Sequence, residues 1–574
     1  MELTAEQATI IDNSQNMSVQ AFSGTGKQTT ITAFILKNRS EHVLLITPCN
    51  QKKAHFNKVF QDNDLQKARV ETPYSLAHRR LGNLSDKIQN SIPNTFRLKE
   101  LLSINTSDSL SDLRVASLVK WIFTYYCKSA AQKLSKEMIV RSIYNEDQLD
   151  FFWRNEAIIV SYTERLIKLM ESGIVTSYED FYVKQYCMLN PRINSSYIVV
   201  DDAQNLPPCL LEAVKKQRAV KLIFGDEHGK THPYDNWMEI FKSTNNRSVH
   251  LNKSFTYSDE IACNMRFVLN KKVLLYENFD TPTIKGLAKV KKSKNQAIIS
   301  RNNVTILQYA IEYLEKYQQN RRKVHFQGGL DHYLYADEGI SLWDVLSLYT
   351  KNLSWIENPN LEVIRSIDQL EDYAIATKNI SCMGLINLVR KYRKGITTII
   401  KNVDKTLINK SRINNRTLVL SSVLHARNVR RDDVYLLDDF TTEDQIKKVV
   451  SSGEYADYPH MEREINILYL AASRATNNVF SPHIPSTHVT GDKQPFSSDE
   501  SFQRDNRPGL DELPYNPEVM RKKHPGTFRK WTSVEDSQLA PLHPNKESID
   551  EIASKLQRTR SSIIFRLRKM TENR

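Results

Sequence analysis

The stretch that most constrains the fold of this chain covers residues 19–30 and reads VQAFSGTGKQTT. A short apolar run precedes it and a helical pattern follows it, so the stretch lies where a strand is expected to turn into a helix. Gly24 and Gly26 allow the backbone to curl with its N–H groups facing an anion, and Lys27 can reach the outer phosphates. The stretch predicts a phosphate-binding loop, with a plain glycine-rich turn ahead of a helix as the alternative.

One position in this loop departs from the usual pattern. The residue after the lysine is normally Ser or Thr, whose hydroxyl holds Mg²⁺, whereas here it is Gln28. An amide oxygen is a weaker and differently placed ligand, so one part of the predicted nucleotide site is changed. The predicted nucleotide-binding residues of the loop are Ser23, Gly24, Thr25, Gly26, Lys27, Gln28 and Thr29.

Length and composition indicate a large protein of several domains. A chain of 574 residues is too long for one hydrophobic core, and about three to five domains are expected. No apolar run reaches the roughly 18 residues of a membrane span, and the start, Met1-Glu2, lacks the basic and apolar regions of a signal peptide. The six scattered cysteines, none in a CxxC pair, argue against a disulfide framework or a zinc site and are expected to be small core residues in a reducing compartment. The net charge of +14 favours a polyanionic partner.

The first 75 residues show an alternation of strands and helices. Residues 43–47 (VLLIT) predict a buried parallel strand, and residues 69–75 (RVETPYS) predict another short strand and turn. This alternation predicts a doubly wound α/β sheet with its ligand at the carboxyl ends of the strands. Residues 96–194 then show helical periods, which predict an inserted helical subdomain with aromatic side chains in its core.

The strand pattern resumes at residues 197–205 (YIVVDDAQN). An apolar strand that ends in two carboxylates, Asp201 and Asp202, suits the metal side of a nucleotide hydrolase. One acid holds Mg²⁺, and the next orients or deprotonates the attacking water. A simple turn is the alternative, but the phosphate loop upstream favours the hydrolase interpretation. Residues 221–228 (KLIFGDEH) predict a further strand that again brings acids to its carboxyl end.

The order of these motifs resembles that of the UvrD/Rep-like superfamily 1 DNA helicases, and is nearest to the F-box DNA helicase branch without its F-box. The resemblance covers residue 3 to about residue 480. It implies an α/β fold with two RecA-like P-loop domains and helical insertions. It also implies ATP and Mg²⁺ bound between the two domains, single-stranded DNA across their top and 3′-to-5′ translocation.

The resemblance also assigns roles to individual residues. Gln7 would contact adenine, Asp201 would hold Mg²⁺, and Asp202 stands where the family has its catalytic Glu. Residues 464–475 (EINILYLAASRA) resemble the last motif of the family, which makes Arg474 the arginine finger. The catalytic residues implied are Lys27, Asp201, Asp202, Gln204 and Arg474. The DNA-binding residues implied in the motor are Asn50, Tyr74 and Tyr234.

Several positions depart from the family pattern. Thr256 replaces an arginine that would touch phosphate, Gly229 replaces a glutamine and Asp235 replaces an arginine. Residues 422–430 differ at most positions from another motif of the family. Ser422 and Arg427 keep the chemistry of that motif, and Leu424, Asn428 and Arg430 do not. An arginine finger alone contributes about 10³ to 10⁵ in rate, so such losses can slow hydrolysis by orders of magnitude. A non-catalytic DNA-binding scaffold therefore stands beside the helicase interpretation, and a small-molecule kinase is a distant third.

The predicted organisation has six parts. RecA-like domain 1 comprises residues 1–95 and 196–256, around a helical insertion at 96–195. RecA-like domain 2 comprises residues 257–332 and 416–480, around a second, reduced insertion at 333–415. A flexible linker at 481–517, with six prolines, precedes a module at 518–574.

The last 57 residues predict three short helices and resemble a Myb/SANT-like helix-turn-helix. They contain 13 Lys and Arg against 7 Asp and Glu, a difference of +6, which suits a phosphate backbone. Arg566, Arg568 and Lys569 lie opposite the apolar stripe of the last helix and are the predicted DNA contacts; a solvated basic face on a protein-binding bundle is the alternative. The expected partners are single-stranded and duplex DNA, with no membrane, and the expected state is a DNA-associated cytoplasmic monomer.

Overall fold

A computed structural model of the chain describes residues 3–81, 92–106, 109–143, 146–231, 237–242, 247–316, 323–356, 358, 361, 364–377, 379–408, 412–452, 458–484 and 555–557. The chain divides into two units, Met1–Val489 and Thr490–Arg574. Arg566, Arg568 and Lys569, with all of the predicted helix-turn-helix except residues 555–557, lie outside the described residues, as do most of the predicted linker, Tyr234 and Asp235.

Six parallel strands form the first sheet, in the order β3-β2-β4-β5-β1-β6. The strands are β1 (Met17–Ala21), β2 (Val43–Ile46), β3 (Ala68–Glu71), β4 (Tyr197–Val200), β5 (Val220–Gly225) and β6 (Arg247–Leu251). Every residue of β1 and β2 is buried, as expected for parallel strands that helices cover on both faces. Two apolar clusters, one on each face, form the core of this sheet.

Helices connect these strands and also fill a long insertion between β3 and β4. The helices before the insertion are α1 (Ala5–Ile11), α2 (Lys27–Lys37), α3 (Asn50–Asp62) and α4 (Pro73–Leu81). Those of the insertion are α5 (Thr95–Leu101), α6 (Ser109–Lys128), α7 (Lys136–Ser142), α8 (Glu146–Arg154), α9 (Glu156–Glu171) and α10 (Glu179–Met188). After β4 follow α11 (Pro208–Lys215) and α12 (Trp237–Lys242). Phe123 and Phe152 are buried in the core of the insertion as expected, whereas Trp121 and Trp153 are exposed.

Five parallel strands form the second sheet, in the order β10-β11-β9-β12-β13. A short ribbon, β7 (Lys253–Ser254) and β8 (Lys285–Gly286), precedes them. The strands of the second sheet are β9 (Gln296–Ser300), β10 (Val324–Phe326), β11 (Leu418–Ser422), β12 (Arg431–Leu436) and β13 (Ala475–Phe480). The helices around it are α13 (Asp259–Asn270), α14 (Asn303–Lys316), α15 (Leu342–Thr350), α16 (Ile367–Ala376), α17 (Ile380–Tyr392), α18 (Ile396–Thr406), α19 (Glu443–Ser452) and α20 (Tyr458–Ala472).

The mixed α/β class with parallel sheets is confirmed, and two smaller expectations are corrected. The predicted strand and turn at 69–75 is a strand only to Glu71, because Pro73 begins α4 with its φ already suited to a helix. Thr72 supports that start, since its hydroxyl accepts a hydrogen bond from the Ser75 N–H at 3.2 Å. Cys49 and Cys263 are exposed, while the other four cysteines are buried. None of the helices in the described ranges is both long and apolar enough to cross a bilayer.

Candidate nucleotide-binding site

The glycine loop (residues 23–27) joins the carboxyl end of β1 to the first turn of α2. Gly24 and Gly26 have φ of 75° and 82°, a left-handed conformation that glycine adopts without strain. Space demands glycine as well, because a Cβ on Gly24 would lie 1.9 Å from Thr256 Oγ1 and one on Gly26 would lie 2.6 Å from Gln7 Nε2. The hydroxyl of Thr25 donates to the carbonyl of Phe22 at 2.9 Å and closes the curl.

Lys27 begins α2 and turns its ammonium back toward the strand ends. Its Nζ donates to the Ala21 carbonyl at 3.0 Å and lies 3.3 Å from Asp202 Oδ1. Gln28, the next residue, is exposed. Gln7, the predicted adenine contact, is buried against Gly26 and accepts a hydrogen bond from the Thr4 N–H through Oε1 at 3.0 Å. The fold therefore brings the predicted base contact, the loop and the predicted acids into one region.

The two predicted acids follow β4 and meet a lysine that sequence reasoning missed. Lys52 extends from α3, and its Nζ lies 2.6 Å from Asp201 Oδ2 and 2.5 Å from Asp202 Oδ2. Asp201 is fully buried, and its Oδ1 has no hydrogen-bond partner among the described residues. Asp202 adopts a left-handed φ of 50°. One ammonium thus bridges the carboxylates that were expected to face a metal ion.

The charges of this cluster depend on one another. Burial and the neighbouring Asp202 raise the pKa of Asp201, against the opposite effect of Lys52. Burial would also raise the pKa of Asp202, but Lys27 and Lys52 outweigh it and hold that pKa well below its ordinary range. Burial would lower the pKa of Lys52, but the two carboxylates raise it above its ordinary range. Asp202 and Lys52 are therefore charged at neutral pH.

The residues near Asp201 are chemically suited to Mg²⁺. Carboxylate oxygens are the ligands that this hard cation prefers, and Oδ1 of Asp201 is a buried oxygen without a partner among the described residues. Lys52 offers a competing positive charge on the other side of both carboxylates. A divalent ion here would be held by Asp201 and would neutralise phosphate charge.

A chain of hydrogen bonds links the first sheet to the second. Gln204 accepts the Asp226 N–H through Oε1 at 3.0 Å, and Asp226 Oδ2 accepts the hydroxyl proton of Tyr469 at 2.8 Å. Tyr469, on α20, also contacts the backbone of Ser23 in the glycine loop. Burial raises the pKa of Asp226, which suits a carboxyl group enclosed between the two sheets. Tyr469 was missed although it lies inside the motif at residues 464–475.

Two arginines that directly precede strands of the second sheet, Arg474 before β13 and Arg430 before β12, have different hydrogen-bond partners. The predicted finger, Arg474, is bound to its own neighbourhood: Nε donates to the Leu470 carbonyl at 3.0 Å and Nη1 to the Arg427 carbonyl at 2.7 Å. Burial and the charge of Arg430 lower the pKa of Arg474 to about 10. Arg430, assigned no role from the sequence, donates instead to Thr256 and to Ser23 of the glycine loop.

Two of the predicted DNA contacts line one surface cavity of about 190 Å³. Asn50 and Tyr74 share this cavity with Gln204, so it lies beside the nucleotide region. The ring of Tyr74 packs against Tyr182, with centroids 5.8 Å apart. The lining also includes Asp180, which pairs with Lys128 at 3.2 Å.

Comparisons with known proteins relate the chain to helicases. F-box DNA helicase 1 of Gallus gallus is 21% identical over 520 residues, which cover 83% of this chain and 48% of that protein. F-box DNA helicase protein 1 of Schizosaccharomyces pombe is 23% identical over 305 residues, which cover 47% of this chain and 33% of that protein. The chain thus spans about half or less of the length of the curated relatives it matches. No known protein-family profile matches the chain.

Proposed function

We propose that this chain is an ATP-dependent DNA helicase or translocase of the UvrD/Rep type. It moves 3′ to 5′ on single-stranded DNA and couples ATP hydrolysis to unwinding or protein displacement in DNA repair or recombination. In this proposal the two parallel sheets are the cores of two RecA-like domains, and ATP with Mg²⁺ binds between them. Support comes from the names of the distant relatives and from the geometry around the glycine loop.

One observation supports the nucleotide site most strongly: a left-handed glycine loop at the start of a helix holds Lys27 3.3 Å from Asp202. The N–H groups of such a loop and the helix amino terminus attract phosphate. The second sheet reaches this loop through Tyr469 and Arg430, so both sheets contribute groups to one site.

The residues of the chain would divide the work of ATP hydrolysis. Lys27 and the loop bind the phosphates, and Gln204, joined to Asp226, reports on the outermost phosphate. Asp201 holds Mg²⁺, which when bound neutralises charge on the phosphates. Asp202 orients the attacking water, because a carboxylate whose pKa is so low is a weak base.

A second candidate function is a catalytically weakened helicase-like DNA-binding scaffold or regulator. Lys52 favours it, because its ammonium bridges both acids and competes with a metal ion for them. The exposed Gln28 in place of a hydroxyl ligand and the tethered Arg474 point the same way. A protein of this kind would bind nucleotide and DNA but would not hydrolyse ATP at a useful rate.

The proposed DNA interface includes the cavity lined by Asn50 and Tyr74. Single-stranded DNA would cross the cavity at Asn50 and Tyr74, where the ring offers a stacking surface for a base. Outside the described residues, Arg566, Arg568 and Lys569 of the tail would add phosphate contacts to duplex DNA.

The site is tested by nucleotide affinity in the full chain with Lys27→Ala. Loss of charge-assisted hydrogen bonds to phosphate is expected to weaken ATP binding about 10- to 100-fold. The control is Lys37→Ala, at the other end of α2, where the lysine pairs with Asp12 at the surface. Unchanged affinity in Lys27→Ala would show that the nucleotide site is assigned wrongly.

A further inference from the structure

We propose that Arg430 binds the outer end of the triphosphate and makes the site prefer a nucleoside triphosphate over a diphosphate. This inference rests on the proposed nucleotide site and adds a catalytic residue that the sequence motifs do not assign. The guanidinium extends from the residue just before β12 of the second sheet and contacts the glycine loop.

Arg430 immediately precedes β12, and its side chain crosses to the first sheet. Nη1 donates to Thr256 Oγ1 at 2.6 Å, and Nη2 donates to Ser23 Oγ at 3.4 Å. Thr256 itself lies against the loop, since a Cβ on Gly24 would come within 1.9 Å of its hydroxyl. The guanidinium therefore contacts the glycine loop at Ser23, and the Lys27 ammonium lies at the end of β1, where it bonds the Ala21 carbonyl.

The charge of Arg430 lacks a carboxylate partner within the described part of the chain. Its two side-chain hydrogen bonds go to neutral hydroxyls, and burial lowers its pKa. By contrast, Arg301 is neutralised by two hydrogen bonds to Glu464, at 2.6 and 2.8 Å. A half-buried guanidinium held by two neutral acceptors keeps donors in a planar array that matches phosphate oxygens.

The second nearby arginine, Arg474, is more fully engaged by protein groups than Arg430. All three nitrogens of the Arg474 guanidinium donate to groups of its own neighbourhood: the Leu470 and Arg427 carbonyls and the Ser473 hydroxyl. Arg430 is the arginine in contact with the loop, and it arrives from the other sheet. Phosphate bound to both Lys27 and Arg430 would bridge the two sheets, and loss of the outer phosphate would release that bridge.

The test measures the affinities of a non-hydrolysable ATP analogue and of ADP for the full chain by calorimetry. Arg430→Ala is expected to weaken binding of the analogue about 10- to 100-fold and to change ADP binding less than about threefold, because ADP lacks the outer phosphate. Arg430→Gln keeps an amide donor without the charge and is expected to behave similarly, which guards against misfolding of the alanine variant. Arg416→Ala removes an exposed arginine before β11 and controls for net charge.

Exchanging Thr256 and Arg430 tests whether the guanidinium itself, rather than its position in the chain, gives the preference for the triphosphate. Because Nη1 lies 2.6 Å from Thr256 Oγ1, a guanidinium placed at position 256 reaches the same space. The double variant Thr256→Arg with Arg430→Thr is therefore expected to recover the preference for the triphosphate that Arg430→Ala loses.

The outcomes distinguish this inference from the proposed function. If Lys27→Ala weakens nucleotide binding, but Arg430→Ala weakens binding of the analogue and of ADP equally or changes neither, the inference about Arg430 is wrong and the nucleotide site stands. If the unmodified chain binds neither ligand, the proposed function fails and the inference fails with it.

Discussion

Replacing Lys52 tests whether its ammonium stabilises the two aspartates of the site, Asp201 and Asp202. Lys52→Met keeps the aliphatic stem and removes the ammonium that lies 2.6 Å from the fully buried Asp201. Removing one partner of a buried ion pair costs about 3 to 5 kcal/mol, and protonation of Asp201 limits that loss. We expect the free energy of unfolding to fall by about 3 kcal/mol. The deficit should grow as the pH rises, because Lys52 lowers the pKa of Asp201; without Lys52 that pKa is raised further, and the buried carboxyl group favours the folded state less as it loses its proton.

Mg²⁺ should restore the stability of Lys52→Met, because a divalent cation can replace the missing ammonium between Asp201 and Asp202. Binding at a concentration 100 times the dissociation constant contributes about 2.7 kcal/mol. The assay is urea unfolding without nucleotide, in EDTA and in Mg²⁺, and the unmodified chain should respond much less. Lys53→Met is the matched control, since Lys53 pairs with Glu71 at 2.7 Å and should lose stability without gaining a response to Mg²⁺. Equal Mg²⁺ stabilisation of the unmodified chain and Lys52→Met, or full stability of Lys52→Met in EDTA, would refute the reasoning.

Two further predictions concern Tyr74, at the proposed DNA interface, and the buried residue His228. Tyr74→Ala should weaken single-stranded DNA binding by about 1–3 kcal/mol in fluorescence anisotropy, whereas Tyr74→Phe keeps the stacking surface; equal losses would exclude stacking. Burial and the Lys272 ammonium hold the pKa of His228 well below its ordinary range, so the folded state keeps His228 neutral. The unfolded state gains a proton below about pH 6.5, so stability falls as the pH drops, by up to about 1.4 kcal/mol per pH unit. His228→Gln should lessen the fall in urea midpoint between about pH 7.5 and 5.5, and an identical fall would contradict this.

The local parts of the fold were predictable from the sequence, because they depend on neighbouring residues. Two glycines and a lysine between an apolar run and a helical pattern predicted the order of β1, loop and α2. An apolar run before two aspartates likewise predicted β4. The alternation of such units predicted the mixed α/β class with parallel strands, which the structure confirms.

The contacts between distant segments were not predictable in this way. Lys52 is 149 residues before Asp201, and only the pairing of β2 with β4 brings α3 beside the acids. Arg430 reaches Ser23 across 407 residues, and its position in a rewritten motif gave no sign of that contact. Tyr469 lay in a recognised motif, but nothing in its neighbours indicates that its hydroxyl bonds Asp226 of the other sheet. Such contacts arise from the packing of two sheets rather than from local pattern.

The central claim is ATP hydrolysis coupled to single-stranded DNA at the glycine loop. The most direct measurement is the steady-state ATPase rate of the full chain with and without saturating single-stranded DNA, beside Lys27→Ala and the surface control Lys37→Ala. We expect DNA to stimulate the unmodified chain and Lys37→Ala, and Lys27→Ala to lose the activity because its ammonium no longer meets the phosphates beside Asp202. An ATPase rate that DNA does not change, or that survives Lys27→Ala, would contradict the account.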